Sequence, residues 1–294
     1  MLKNTFLHVP GIGPGKEARL WRGGFLSWRD YLERCHSCPL ASPSSEVIAG
    51  HLEASARALG ENDARYFETL LSSGDAWRYY ADFRHKAAFV DIETTGLWGG
   101  ADAITVIGLF DGADTRVFIK GRNLEEFAGE VRKYALLITF NGKRFDLPFI
   151  RSAFGELPAR QGHIDLMYPL RRLGYRGGLK RIEAELGVRR EGALKQVDGY
   201  MAVLLWREYL RGNRAALSTL VRYNLEDVVN LQYLADLVYN EASSRLPIDV
   251  ETLPPPVRFQ LDVPFDEELV DYLSRAVEEE RMRRGYEADI GTRP

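Results

Sequence analysis

Asp91 and Glu93 stand two residues apart at the end of the apolar run "AAFVDI". On an extended backbone that spacing turns both carboxylates to the same side. The "TTG" that follows offers small hydroxyls and a glycine that lets a ligand backbone come close. A third acid, Asp146, follows a second apolar run, "ALLITF", by way of "NGKRF". Tyr223 and Asp227, four residues apart, share one face of a helix. Acids gathered this way repel one another by about 4 kcal/mol per pair at ~4 Å in an effective dielectric of ~20, so they share protons or hold metal. Four carboxylates favour metal, and an all-oxygen donor set suits Mg²⁺ or Mn²⁺ rather than zinc. Two such ions about 3.5 to 4 Å apart would bridge a phosphodiester, activating water and stabilising the leaving oxygen. Each motif is weak alone. With 14 Tyr among 294 residues, a Tyr four places before a given Asp arises by chance about once in twenty.

The elements that must bring these residues together read as follows. "AAFVDI" is a buried strand; "AITVIGLF" and "TRVFIK", joined by "DGAD", form a hairpin, so three antiparallel strands open a sheet. "NLEEFAGEVRKY" has the spacing of an amphipathic helix with Asn123 as its N-cap, and "ALLITF" is a fourth strand, parallel to the first. That pairing is what would carry Asp146 to the first two acids, because ligand sites in such sheets lie at the carboxyl ends of strands. A helix through "FDLPFIRSAF", a fifth strand at "GHIDL" and helices at "GGLKRIEAELG", "DGYMAVLLWREYLRG" and "NRAALSTLVRYNLEDVVNLQYLADLVYN" complete the domain, the last with an expected break near Tyr223. The expected class is α/β, a mixed five-stranded sheet flanked by helices. Around it we divide the chain into an N-terminal element (1–40), a helical connector (41–84), the sheet domain (85–240) and a Pro-rich, acidic C-terminal extension (241–294).

The order of the motifs adds what no single one supplies. "VDIETTGL", "TFNGKRFDLPFI" and "YNLEDVVNL" resemble, in sequence order, the three exonuclease motifs of the DEDD superfamily. Over roughly residues 86 to 240 the chain is similar to the YprB-like group of ribonuclease H-like exonucleases. The resemblance implies a ribonuclease H-like fold with a small helical N-terminal module, and 3′-to-5′ hydrolysis of nucleic-acid ends. It makes Asp91, Glu93, Asp146 and Asp227 the metal ligands and Tyr223 the mark of the tyrosine variant. Residue 222, five before Asp227, is Arg where the sister variant would require His. One ion would then lie between Asp91 and Asp227 and a second between Asp91 and Glu93, with Asp146 acting through coordinated water and Tyr223 orienting the attacking water. By motif position Thr94, Gly96 and Leu97 meet the terminal nucleotide and Asn141 and Phe145 flank it, although core packing explains Phe145 equally well. Asp165 in "HIDLMY" supports the ligands or caps a helix, and is left out of the metal set.

Composition bounds the rest. A chain 45% hydrophobic and 28% charged, with no run of eighteen apolar residues and no secretion-signal succession at its start, reads as globular and cytoplasmic with no membrane partner. A net charge of −3 argues against a protein that coats nucleic acid, but the charge is uneven. "RRLGYRGGLKR" suits a helix start that receives phosphate, with Lys180 and Arg181 as the contacts, or else a solvated helix face. "HVPGIGPGKEARLWRGGF" resembles a helix-hairpin-helix element whose Gly11 and Gly13 amides would cradle a phosphate; a Gly/Pro turn is the other reading. Cys35 and Cys38 form a C-x-x-C without a second pair and read as reduced thiols. The acidic helix near "DEELVDYLSRAVEEERMRR" reads as solvated or as a partner surface, and no protein partner is predictable. Two rivals to a metal-dependent exonuclease on DNA or RNA stay open: a nucleic-acid-binding module without chemistry, and a structure-specific endonuclease.

Overall fold

A computed structural model describes residues 1–96, 103–188 and 190–290, with side chains described as far as residue 279. Five strands form one sheet: β1 (Ala87–Thr94), β2 (Ile104–Phe110), β3 (Thr115–Ile119), β4 (Leu136–Thr139) and β5 (Gly162–Asp165), in the order β3-β2-β1-β4-β5. β1 pairs antiparallel with β2 and parallel with β4, and β5 extends the parallel edge. This is the expected mixed sheet. The alternation of β1 sorts its side chains between two layers. Ala88, Val90 and Ile92 pack with Phe127, Val131 and Ile150 on one face, while Ala87 and Phe89 join the larger cluster with Val228 and Leu231 on the other. Asp91 and Glu93, in the same phase as Phe89, therefore face the second layer.

The helices are α1 (Pro14–Arg22), α2 (Trp28–Arg34), α3 (Ser45–Gly60), α4 (Ala64–Leu70), α5 (Tyr80–Phe83), α6 (Phe127–Glu130), α7 (Asp146–Phe154), α8 (Met167–Leu173), α9 (Leu179–Glu185), α10 (Gly199–Leu210), α11 (Arg214–Ser244) and α12 (Glu267–Ile290). α11 is the long one that lies across β1 and β2. It runs unbroken through Tyr223, contrary to the expected interruption there. No Pro or Gly occurs between residues 214 and 244 to force a kink, and Asn213 caps the start by accepting from the amides of Ala215 and Ala216.

Two further expectations are corrected. "NLEEFAGEVRKY" forms α6 between two 3-10 turns rather than one helix. Asn123 cannot cap it, because its Oδ1 accepts from the Ile119 amide and its Nδ2 donates to the Val117 carbonyl, which fastens the end of β3 instead. α12 is not a free acidic helix: Val270, Leu273 and Val277 are buried against Met201 and Leu205 of α10. Ahead of it Phe259 packs on Phe110, ring centroids 4.8 Å apart, so the Pro-rich stretch lies against the core.

At the N-terminus Leu2–Asn4 makes one 3-10 turn before α1, so the Gly-Ile-Gly loop is preceded by a single turn in place of a first hairpin helix. Lys16 Nζ donates to the Gly11 carbonyl at 2.9 Å, closing that loop on itself. Leu2, Phe6, Val9 and Trp21 are buried in the same cluster as Phe89 and Phe110. Among the described residues no helix is long and apolar enough to cross a membrane.

Candidate active site

The carboxyl end of β1 opens into a cleft of about 280 Å³ lined by Asp91, Glu93, Thr94, Gly96, Asn141, Phe145, Asp146, Tyr223 and Asp227 among others. Three separate segments deliver these residues. β1 carries Asp91 and Glu93, with a shift of register against β2 between Glu93 and Thr94, the kind of irregularity that re-aims side chains beside sites. β4 leads through residues 140–145 to α7, whose first residue is Asp146. α11 presents Tyr223 and Asp227 on one face. The structure thus brings together the four acids, the tyrosine, Thr94, Gly96, Asn141 and Phe145. Leu97 lies outside the described residues. Gly11, Gly13 and Arg181 do not line the cleft, and Arg181 folds back over Gly177. Lys180 stands beside it, its Nζ 5.0 Å from the Tyr223 ring centroid.

The carboxylates of Asp91, Glu93 and Asp227 each place an oxygen within 4.8 Å of the other two. Asp146 stands apart from this trio, buried, with its Oδ1 accepting from the Ile92 amide at 3.2 Å. Burial first, and then the neighbouring acids, raise the Asp91 and Glu93 carboxyls well above the usual carboxylate range. Burial likewise pushes Asp146 up to about 7. The Tyr223 hydroxyl is raised well above its ordinary value, by burial and then by Asp227 and Glu93, so it stays a neutral donor at pH 7. A trio of hard oxygen donors that repel one another in a mostly buried setting fits a divalent cation of the Mg²⁺ or Mn²⁺ kind.

Asp165 is settled by its contacts. Its carboxylate accepts from the amides of Asn141, Lys143 and Met167 at 2.7 to 3.1 Å, so it organises the loop between β4 and α7. Asn141 adopts the left-handed region there, φ 62°, a conformation that Asn tolerates better than most residues. Gly142 follows because a Cβ would meet Thr139 Oγ1 at 2.0 Å.

Four residues carry no site signal of their own in the sequence. Asn224 donates from Nδ2 to Asp91 Oδ2 at 2.9 Å and to the Asp91 carbonyl at 3.2 Å, and it fits only because position 108 on β2 is Gly. Arg190 pairs with Asp227 through Nη2 and with Glu183 through Nε. Glu183 is in turn held by Asn230. Adjacency of Asn224 to Tyr223 was the only available signal; no local pattern marks Arg190, Glu183 or Asn230. A larger cavity, about 480 Å³, lies on the neighbouring face of α11, lined by Arg190, Arg222, Glu226 and Arg258 among others. The smaller cleft holds the acid trio and is the better candidate for chemistry.

An RNase_H superfamily profile matches residues 88–239. The uncharacterized protein YprB of Bacillus subtilis (strain 168) is 32% identical over 172 residues, a match covering 50% of this chain and 40% of that protein. Among solved structures, Brucella melitensis NrnC bound to pGG is similar at a TM-score of 0.39 with 26% identity, over 56% of this chain and 77% of NrnC. The family B DNA polymerase of the hyperthermophilic archaeon Pyrobaculum calidifontis gives a TM-score of 0.39 and 21% identity, over 52% of this chain and 25% of the polymerase. With a superfamily profile spanning the sheet and every segment that builds the cleft, the chain belongs to the RNase_H superfamily.

Proposed function

We propose that this chain is a metal-dependent nuclease of the tyrosine DEDD type that removes nucleotides from the 3′ ends of DNA or RNA. The observation that carries the reading is the meeting of Asp91, Glu93, Asp146, Asp227 and Tyr223 in one cleft from three distant segments. Asp91, Glu93 and Asp227 would hold two divalent cations, with Asp146 acting through a coordinated water. Cations bound there supply Lewis-acid activation of water and neutralise charge on the phosphate.

The remaining work falls to the chain itself. The Tyr223 hydroxyl, on the same face of α11 as Asp227, is placed in the cleft to orient the attacking water. Asn141, Phe145, Thr94 and Gly96 place the terminal nucleotide, and Lys180 offers positive charge to the strand beside Tyr223. A cleft of about 280 Å³ is close to the lower end of small-ligand pockets, roughly 300 to 1,000 Å³, which suits one nucleotide rather than a continuous duplex. That favours cutting at ends. Residues 85–240 form the catalytic unit in this reading, with residues 1–40, 41–84 and 241–294 flanking it.

Oligonucleotides labelled at either end, incubated with Mg²⁺, Mn²⁺ or chelator, test the proposal. Stepwise loss from the 3′ end that needs the metal supports it, and loss only from the 5′ end refutes the polarity. Cutting of a closed circular strand would point to an endonuclease. If Asp91→Ala and the unchanged protein bind nucleic acid alike and neither cleaves it, the chain is a binding module instead.

A further inference from the structure

Arg190 reaches two residues of the acid site from outside the cleft. Its Nη2 donates to Asp227 Oδ1, and its guanidinium carbon lies 5.4 Å from the Tyr223 ring centroid. Arg190 is absent from the residues that line the cleft, and borders the neighbouring cavity with Arg222 instead. It therefore meets Asp227 without itself lining the cleft.

The guanidinium is itself held from behind. Its Nε donates to Glu183 Oε2 at 2.7 Å, and Glu183 Oε1 accepts from Asn230 Nδ2 at 2.9 Å. Asn230 lies three residues after Asp227 on α11, so the bonds close a ring from α11 through α9 and Arg190 back to α11. The Arg190 and Glu183 side chains are 4% and 1% exposed and Asn230 is fully buried. An exposed ion pair of this kind would be screened and mobile. Here a planar fork serves two carboxylates in fixed directions, which a lysine ammonium cannot reproduce. With one oxygen engaged, Asp227 is restrained about its last bond while its carboxylate keeps an oxygen within 4.8 Å of those of Asp91 and Glu93.

We propose that Arg190 is a positioning residue of the acid site, fixing Asp227 for cation binding, with Glu183 and Asn230 as its buttress. This rests on the metal-dependent reading above. Groups that hold a metal ligand from behind change affinity or activity by about 10 to 100-fold when removed. The opposite role, a cation that competes with metal for Asp227, would give the opposite sign.

Mn²⁺ alone, titrated into the full chain by calorimetry without nucleic acid, separates them. Arg190→Gln should weaken Mn²⁺ binding by about 10-fold or more at an unchanged circular dichroism spectrum. Glu183→Gln, which leaves the arginine charge in place, should weaken it in the same direction, and Arg190→Lys should not restore it. Tighter binding by folded Arg190→Gln would make Arg190 a competitor, and unchanged binding would make it a structural ion pair; either overturns the proposal. If Arg190→Gln does not fold, Glu183→Gln and Arg190→Lys decide by the same signs. Should the unchanged protein take up no Mn²⁺, the metal-dependent reading itself fails and this inference falls with it; if it binds and the variants match it, only the inference fails.

Discussion

Gly108 is where β2 passes beneath α11, and replacing it by Ala tests how the sheet and the helix together set the acid site. A methyl group there would sit 2.2 Å from Asn224 Oδ1, 3.1 Å from its Cγ and 3.4 Å from Val228 Cγ1. Asn224 and Val228 are both fully buried, so neither side chain can swing aside into solvent. Overpacking of this kind costs about 1 to 3 kcal/mol. Moving Asn224 also breaks its 2.9 Å bond to the Asp91 carboxyl, a hydrogen bond worth about 0.5 to 1.5 kcal/mol. The two together come to roughly 1.5 to 4.5 kcal/mol. At about 2 to 4 °C per kcal/mol for a chain of a few hundred residues, Tm should fall by roughly 3 to 18 °C in scanning calorimetry. Gly50→Ala is the control, since nothing lies within 4 Å of a Cβ built there in the middle of α3. It should be neutral or stabilising by up to about 1 kcal/mol. A Gly108→Ala protein that melts within about 2 °C of the unchanged one would refute the close approach on which the Asn224 to Asp91 bond depends.

Glu93→Gln should stabilise the chelated protein while abolishing its response to Mn²⁺. The Glu93 carboxyl is raised by burial and then by Asp227, so the folded state holds its proton more tightly than the unfolded chain. Stability of the chelated protein then falls as pH rises above the unfolded value near 4.5, and Gln removes that loss. Melts in chelator at pH 8 check the sign, and a lower Tm for Glu93→Gln contradicts it. His8 works in the other direction. Burial between Trp28 and Phe67 lowers its pKa to about 3, so its stability contribution is full above about 6.5 and is lost as pH falls toward 3. His8→Phe should flatten the acid limb of stability against pH by about one proton, near 1.4 kcal/mol per pH unit, and an unchanged slope in urea melts would show that His8 is not buried as a neutral ring. Tyr223→Phe should bind Mn²⁺ with unchanged affinity while its cleavage rate drops by about 10²-fold or more; equal loss of both would mean the hydroxyl holds the site together rather than orienting water.

The sheet could be read from the sequence because its order rests on local patterns: apolar runs of strand length, the Asp-Gly turn and a crossover long enough to return parallel. The acids were legible for the same reason, each lying at a strand end or on a helix face with its spacing visible. What the sequence hid depends on partners far along the chain. Asn224 meets Asp91 across 133 positions and Asn230 meets Glu183 across 47, and no local pattern marks either pair. Asn123 had the look of a helix cap, but β3 claims its side chain. The acidic C-terminal helix reads in sequence as solvated or as a partner surface, because its charges outnumber its apolar residues. Val270, Leu273 and Val277 recur at three and four spacings and suffice to dock it on α10.

A crystal grown with Mn²⁺ and collected at the manganese absorption edge tests the central claim most directly. Anomalous density among Asp91, Glu93 and Asp227, lost in Asp227→Asn, is the result this account expects. A well-ordered cleft with the three carboxylates in place and no anomalous signal at millimolar Mn²⁺ would contradict it.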